Sequence, residues 1–271
     1  MKPILQTPII QDEKKWYFLS MFYAREKWNE LVTNIMNFYR MHTGMFCNYL
    51  FSFSCERGEH LQVTFASIDI NKDYTNDIQI YFKSFLEQFP STCKTKFPYG
   101  KVIWGNYPNN SIVWNKFRIP NYSSQYFSFH QQTMRVALKL MDGDFSEENI
   151  FSVGLYLITK QFTCIDSKEQ RSTLSKILND FPNDIDTAKE LLYMIDINEV
   201  CEAIESYRNE DINKYSSELT SWLHEVKTYL KTINFNSIRY YIGSILGLTG
   251  LRQLMILELM NTWYNRQQDK D

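Results

Sequence analysis

The sequence predicts an α+β fold, with a ferredoxin-like split βαβ arrangement in the first half and an all-helical second half packed on it. Three observations carry this reading. Before residue 90 the apolar pattern runs strand, helix, strand, strand, helix, which is how a split βαβ unit opens. From Phe127 onward the period is helical and stays so. Between these stretches, Lys101–Trp104 supplies the next strand that a split βαβ unit needs. The break falls near Tyr126, giving an α+β part over 1–126 and a helical part over 127–271 within one integrated domain.

Taken in order, Lys15–Tyr23 is aromatic-rich and β-prone and reads as a central strand. Arg25–Met41 places Trp28, Leu31, Val32, Ile35, Phe38 and Tyr39 on one helical face. Met45–Phe53 and Leu61–Ile68 flank the turn Cys55–Glu59 and predict a hairpin. A second amphipathic helix covers Asn76–Phe89 and stops at Pro90. Lys101–Trp104 supplies a next strand, Trp104–Ser111 is a turn cluster, and Ile112–Phe117 is a returning strand. Around Arg118–Tyr126 the period is lost, which predicts an irregular segment crossing the surface or the cleft. Helices are then expected over about 128–141, 147–163, 168–180, 184–194, 197–207, 215–231, 235–247 and 251–266, with Gly247 and Gly250 at stop positions.

Composition excludes several classes. With 44% hydrophobic residues the chain can bury a core, and with 16% aromatics it can also line a wide apolar cleft. A net charge of −2 removes the electrostatic case for nonspecific nucleic-acid binding. Five scattered cysteines with no Cys-x-x-Cys indicate reduced thiols in a cytosol. No apolar run reaches a spanning length, so neither a membrane nor a signal peptide is expected, and the expected location is cytoplasmic. Gly-x-Gly-x-x-Gly, P-loop and Gly-x-Ser-x-Gly motifs are missing, and none of the four histidines has zinc-site spacing. No cofactor or metal is expected.

Three stretches carry candidate chemistry. In the hairpin, Leu61, Val63 and Phe65 point to one face while His60, Gln62 and Thr64 point to the other, setting an imidazole, an amide and a hydroxyl in a row. An ordinary hairpin also explains that pattern. His130, followed by Gln131, stands at the expected start of a helix, where backbone donors and the helix dipole favour a neutral imidazole. Ser237, Arg239, Tyr240, Tyr241 and Ser244 interrupt an otherwise apolar helix; they can serve as core edge or as donors to a developing oxyanion. His42 and His224 sit among charged helix residues and read as solvated.

The order of these features resembles the C-terminal elimination domain of lantibiotic dehydratases and the stand-alone thiopeptide-biosynthesis proteins of that superfamily. The residues that carry the resemblance are the opening Trp16-Tyr17-Phe18 and the segment Glu59–Phe65, similar to the family's His-Leu-Arg-x-Arg strand. Phe129-His130-Gln131-Gln132-Thr133 leading a helix, and an acidic helix start before Ile150–Ile158, add to it. The departures are as informative. Gln62, Thr64 and Phe51–Ser54 stand where elimination domains carry arginines. The Glu-Arg-Tyr-Gly-Gly segment shrinks to Tyr122–Phe127, and Tyr240–Ile245 replaces the late His-Met-x-x-Asn-Arg motif.

Without those groups the chain looks more like the pyridine synthases of thiopeptide assembly. The resemblance then implies formation of a central pyridine from two dehydroalanines of a thiazole-bearing precursor peptide. It implies a formal aza-[4+2] cycloaddition, with loss of water and of the leader peptide, and no cofactor. Its partners would be the modified precursor peptide and other enzymes of the pathway. On this reading Tyr240, Tyr241, Arg239 and His130 are the catalytic candidates. His60, Gln62, Gln131, Ser237 and Ser244 bind substrate, and a separate groove holds the leader. The alternatives are a glutamate-eliminating lyase and a leader-binding scaffold without catalysis.

Overall fold

The computed structural model describes residues 9–11, 13–93, 105–115, 124–210 and 217–268, with backbone alone at 9–11, 124–126, 182–183 and 268. The chain divides into two compact units, each described here by itself. The first holds Met1–Met134 and Gly143–Ser146, the second Arg135–Asp142 and Glu147–Asp271. The division falls inside one helix, between Met134 and Arg135.

The first unit is built on a five-stranded antiparallel sheet. Its strands are β1 (Ile9–Gln11), β2 (Lys14–Phe22), β3 (Phe46–Ser54), β4 (His60–Ser67) and β5 (Ser111–Trp114). A 3-10 turn at Arg25–Lys27 leads into α1 (Trp28–Met41), and α2 (Thr75–Gln88) follows β4. β4 pairs antiparallel with both β2 and β3, so β2 and β3 run parallel and α1 is the crossover between them. β5 pairs antiparallel with the far edge of β2. The order β5-β2-β4-β3 is that of a ferredoxin-like sheet.

The expected strand at Lys101–Trp104 lies outside the described residues. Ser111–Trp114 takes the fourth strand's place, with Leu19 opposite Trp114 and Phe22 opposite Ser111. β1, which carries no apolar alternation strong enough to announce it, shares the same edge farther along, with Ile9 opposite Trp16.

Both faces of this sheet are buried, which explains why β2 shows no polar alternation: Trp16 to Phe22 are all inaccessible. On the helix face Phe38 of α1 meets Phe65 at 5.2 Å and Phe82 of α2 at 5.0 Å, both near edge-on or tilted. Trp28 stacks on Phe53 at 5.2 Å. The opposite face carries Trp16, Phe18 and Ala66, with Phe127 against Trp16 at 5.5 Å.

α3 runs Ser124–Met141, one turn longer at its start than the period indicates. The expected irregular stretch is therefore helical from Ser124, and 116–123 lie outside the described residues. Burial of Phe129 and packing of Phe127 override the weak helix preference of this aromatic-rich start.

The second unit adds α4 (Glu147–Phe162), α5 (Ser167–Asn179), α6 (Pro182–Leu192), α7 (Ile197–Asn209), α8 (Ser217–Tyr229), α9 (Phe235–Leu246) and α10 (Gly250–Gln268). All of the expected helices form. Side-chain caps start three of them: Asp166 accepts from the Lys168 amide, Asp196 from Asn198 and Glu199, and Asn234 from Ser237. α9 ends on Gly247 in the left-handed conformation, φ 70°. Gly250, expected as a stop, instead opens α10. That helix packs against α4, α5, α6, α7 and α9. It is accordingly apolar around most of its circumference, burying Leu254, Ile256, Leu257, Leu259, Met260 and Trp263.

Candidate active site

The polar row on β4 forms as its alternation requires, on the sheet face opposite α1 and α2. Strand register puts Ser20 of β2 and Ser52 of β3 on either side of Gln62, so three polar side chains cross the sheet in line. His60 is fully buried, and its Nδ1 lies 2.9 Å from the Gly58 carbonyl. A carbonyl only accepts, so Nδ1 carries the proton and Nε2 presents a lone pair. Gln62 Nε2 stands 3.5 Å from that nitrogen, and the Ser52 hydroxyl donates to Gln62 Oε1 at 3.4 Å. The amide of Gln62 is thereby oriented. The Ser20 hydroxyl is buried and has no hydrogen-bond partner among the described residues. Burial pushes the His60 imidazole down to about 4, so it is neutral at physiological pH.

A stack of rings covers His60. Phe22 lies 4.5 Å from it, Tyr107 lies 4.9 Å from Phe22, and the Arg57 guanidinium sits 4.3 Å above Tyr107. Arg57 also donates from Nε and Nη2 to the Gly105 carbonyl at 3.1 and 3.0 Å. The turn that makes this possible has Arg57 at φ 60° and Gly58 at φ 123°; a Cβ on Gly58 would stand 3.2 Å from the Phe22 ring. Beside it, Glu59 accepts from the Arg25 amide at 2.8 Å and pairs with its guanidinium at 3.6 Å. Arg25 reaches Cys55 as well, at 2.7 Å.

His130 is the seventh residue of α3, in its second turn rather than at the helix start anticipated for it. Its Nε2 donates to the Phe51 carbonyl at 3.0 Å, and the Phe51 amide donates to Met134 Sδ at 3.3 Å. α3 thus satisfies the outer edge of β3, the sheet's last strand. Complete burial lowers this imidazole, too, to about 4. Gln131 beside it is half-buried.

The remaining candidates belong to α9, in the second unit. Ser237, Tyr240, Tyr241 and Ser244 recur at i, i+3, i+4 and i+7 and share one face. Tyr240 is 57% exposed, Ser237 is exposed, and Tyr241 and Ser244 are half-buried, the Ser244 hydroxyl donating to the Tyr240 carbonyl. Arg239 points the other way, into the helical core. It is 5% exposed; Nε and Nη2 donate to Asn236 Oδ1 at 3.1 and 2.6 Å, and Nη1 to Gln253 Oε1 at 2.6 Å. Gln253 in turn donates to the Leu248 carbonyl at 2.9 Å. Desolvation lowers the guanidinium to about 10, and it forms no carboxylate pair among the described residues. Gly243 permits the close approach: a Cβ there would fall 2.2 Å from the Gln253 amide.

The structure therefore groups His60 and Gln62 on one sheet face and the α9 serines and tyrosines on one helix face, with Arg239 opposite the latter. Sequence reasoning missed Ser20, Ser52, the Arg25–Glu59 pair and the Arg57–Tyr107 stack. A lone serine inside the apolar run Trp16–Phe22 is the one signal that pointed to Ser20. His42 is half-buried, with Nδ1 donating to the Phe38 carbonyl, whereas His224 is exposed. Among the described residues no three His, Cys, Asp or Glu side chains cluster as a metal site would need. None of the described helices is long and apolar enough to cross a membrane.

Neither the known protein-family models nor the sequences of curated proteins contain a match to this chain. Solved structures do. The fold is an α+β one, a ferredoxin-like sheet followed by a helical second unit, and it is like that of solved thiopeptide-biosynthesis proteins. In particular, the chain is similar to the pyridine synthase TbtD from thiomuracin biosynthesis, with a TM-score of 0.65 and 11% identity over 94% of this chain and 99% of that one. It is also similar to TsrL, with a TM-score of 0.62 and 9% identity over 94% and 96%.

Proposed function

We propose that the chain is a thiopeptide-maturation enzyme that forms a central pyridine from two dehydroalanines of a thiazole-bearing precursor peptide. The observation that carries this reading is the end-to-end likeness of fold to a pyridine synthase, spanning 94% of this chain and 99% of TbtD. Two features of the chain agree with it. Gln62 and Thr64 stand where an elimination domain would place arginines, which disfavours expulsion of glutamate. The two candidate imidazoles are held neutral by burial and the Arg239 guanidinium is desolvated, which suits a reaction that needs positioning more than a strong base.

The reaction is a formal aza-[4+2] cycloaddition. The amide of one dehydroalanine reacts as its imidic-acid tautomer with the alkene of the other; loss of water and of the leader as a carboxamide then aromatises the ring. Holding two alkenes together on a folded peptide removes up to about 7–11 kcal/mol of the barrier as entropy and reorganisation already met on binding. No cofactor takes part in this scheme. Tyr240 and Tyr241 supply protons, and Arg239 fixes the α9 segment through Asn236 and Gln253. Ser237 and Ser244, on the same helix face as the tyrosines, contact the substrate, whereas His60 is fully buried and does not. His130, held on Phe51, keeps the edge of β3 in place.

The test is to mix the purified protein with a linear thiazole-bearing peptide carrying two dehydroalanines and a leader, and to follow intact mass. Loss of water together with free leader carboxamide supports pyridine synthesis. A peptide that binds and stays unchanged points to a scaffold, and release of glutamate from a glutamylated precursor points to a lyase.

A further inference from the structure

The second unit contains a groove that the proposed chemistry leaves unused. It encloses about 630 Å³ between α5, the end of α8 and the start of α9. Its apolar lining comes from Ile165, Ile177, Leu230 and Phe235, and Cys164 lines it as well. Its two walls differ in charge. α5 and the two residues that cap its ends contribute Asp166, Glu169 and Asp180 against the single Lys176; α8 and the residues after it contribute Lys227 and Lys231.

None of these six charged side chains forms an ion pair among the described residues. Walls of opposite sign that do not neutralise each other leave both charges available to an occupant lying between them. The lining residues of α5 recur at helical spacing from Asp166 to Asp180, a length of about 20 Å at 1.5 Å per residue. A compact small molecule does not span that length, whereas three to four turns of helix do.

We propose that this groove docks an amphipathic helix from another polypeptide. Its apolar stripe lies on Ile177, Leu230 and Phe235, a basic flank faces α5, and an acidic flank faces Lys227 and Lys231. This is helix-in-groove recognition, with the apolar lining giving affinity and the two walls giving orientation. It is independent of the cyclisation reading, because occupancy is measured without turnover.

The test uses three fluorescent, helix-forming synthetic peptides with the same leucine stripe and different flanks: lysine on one and glutamate on the other, lysine on both, or glutamate on both. Binding to the full chain is read by anisotropy, and alkylation of Cys164 by iodoacetamide is read by peptide mass. The mixed-flank peptide is expected to bind about tenfold more tightly than either uniform peptide, two rim charges being matched rather than opposed. It should also slow alkylation of Cys164. The double variant Lys227→Glu, Lys231→Glu, altered only at exposed positions, should reverse the preference toward the all-lysine peptide. Equal binding of all three peptides, an unchanged order in the variant, or no protection of Cys164 would each overturn the proposal. A chain that fails to cyclise its substrate but shows these preferences would remove the cyclisation reading and leave the groove.

Discussion

His130 Nε2 donates to the carbonyl of Phe51 across 3.0 Å, so a side chain on α3 completes the hydrogen bonding of an edge strand seventy-nine residues earlier in the sequence. Both buried histidines are linked to stability in the same direction. Each has a folded value of about 4, below the ordinary value near 6.5, so the unfolded chain takes up protons that the native chain does not. Their full contribution is present above about pH 6.5 and is lost as pH falls toward about 4. The expected slope is about 1.4 kcal/mol per pH unit for each histidine. Urea unfolding across that range measures it, and His130→Gln should remove roughly half of the slope. A slope that His130→Gln leaves intact would mean that this residue is already protonated in the fold.

Gly243→Ala should destabilise the second unit by about 1–3 kcal/mol, because the new methyl displaces the Gln253 amide and costs Arg239 an acceptor. Thermal unfolding followed by circular dichroism is the measurement. Wild-type stability in this variant would show that Gln253 can leave Arg239 at no cost.

On α9 two substitutions separate support from chemistry. Tyr240→Phe removes an exposed hydroxyl and should leave stability within about 0.5 kcal/mol of wild type. If Tyr240 is the proton donor, the cyclisation rate falls by about 10²-fold or more. Arg239→Lys should cost about 2 kcal/mol of stability, since an ammonium cannot reach both Asn236 and Gln253 in the planar geometry of the guanidinium. Mass-resolved turnover beside a urea titration distinguishes the two effects; an active Tyr240→Phe variant would remove this residue from the acid role.

Arg57→Ala should loosen the loop from Gly105 to Tyr107 over the β3–β4 turn, because the guanidinium holds both the Gly105 carbonyl and the Tyr107 ring, while the Tyr107 amide stays bonded to the carbonyl of residue 57. Hydration of the stack over His60 then raises its imidazole from about 4 toward the ordinary range. An NMR titration of the His60 ring protons reads this directly. An unmoved titration would show that the burial of His60 does not depend on the latch.

Features with a local period were legible in the sequence. Alternation at His60, Gln62 and Thr64 assigned them to one sheet face, and helical spacing delimited α4 to α10 closely, because both periods are properties of neighbouring residues. Contacts between distant residues were not legible. Nothing near Arg239 shows that it turns away from Tyr240 toward Gln253, or that His130 belongs to Phe51 rather than to a helix end. Gly250 illustrates a further limit: glycine after an apolar helix suits a stop and a start equally, and Gly247, three residues earlier, already provides the left-handed stop. The start of α3 was hidden because burial of Phe129, a tertiary effect, outweighs the preferences of the residues before it.

The seven consecutive inaccessible residues of β2, Trp16 to Phe22, also bear on synthesis of the chain. This strand leaves the ribosome well before its main partners: β4, which lines nearly its whole length, begins only at His60, and β5 only at Ser111. Until then Trp-Tyr-Phe-Leu-Ser-Met-Phe is an uncharged, β-prone ribbon with one edge unfilled and the other met by β1 only at Trp16, the kind of segment that nascent chains use to stick to one another. Slow elongation before residue 60 would therefore lower soluble yield more than equally slow elongation anywhere in the helical half.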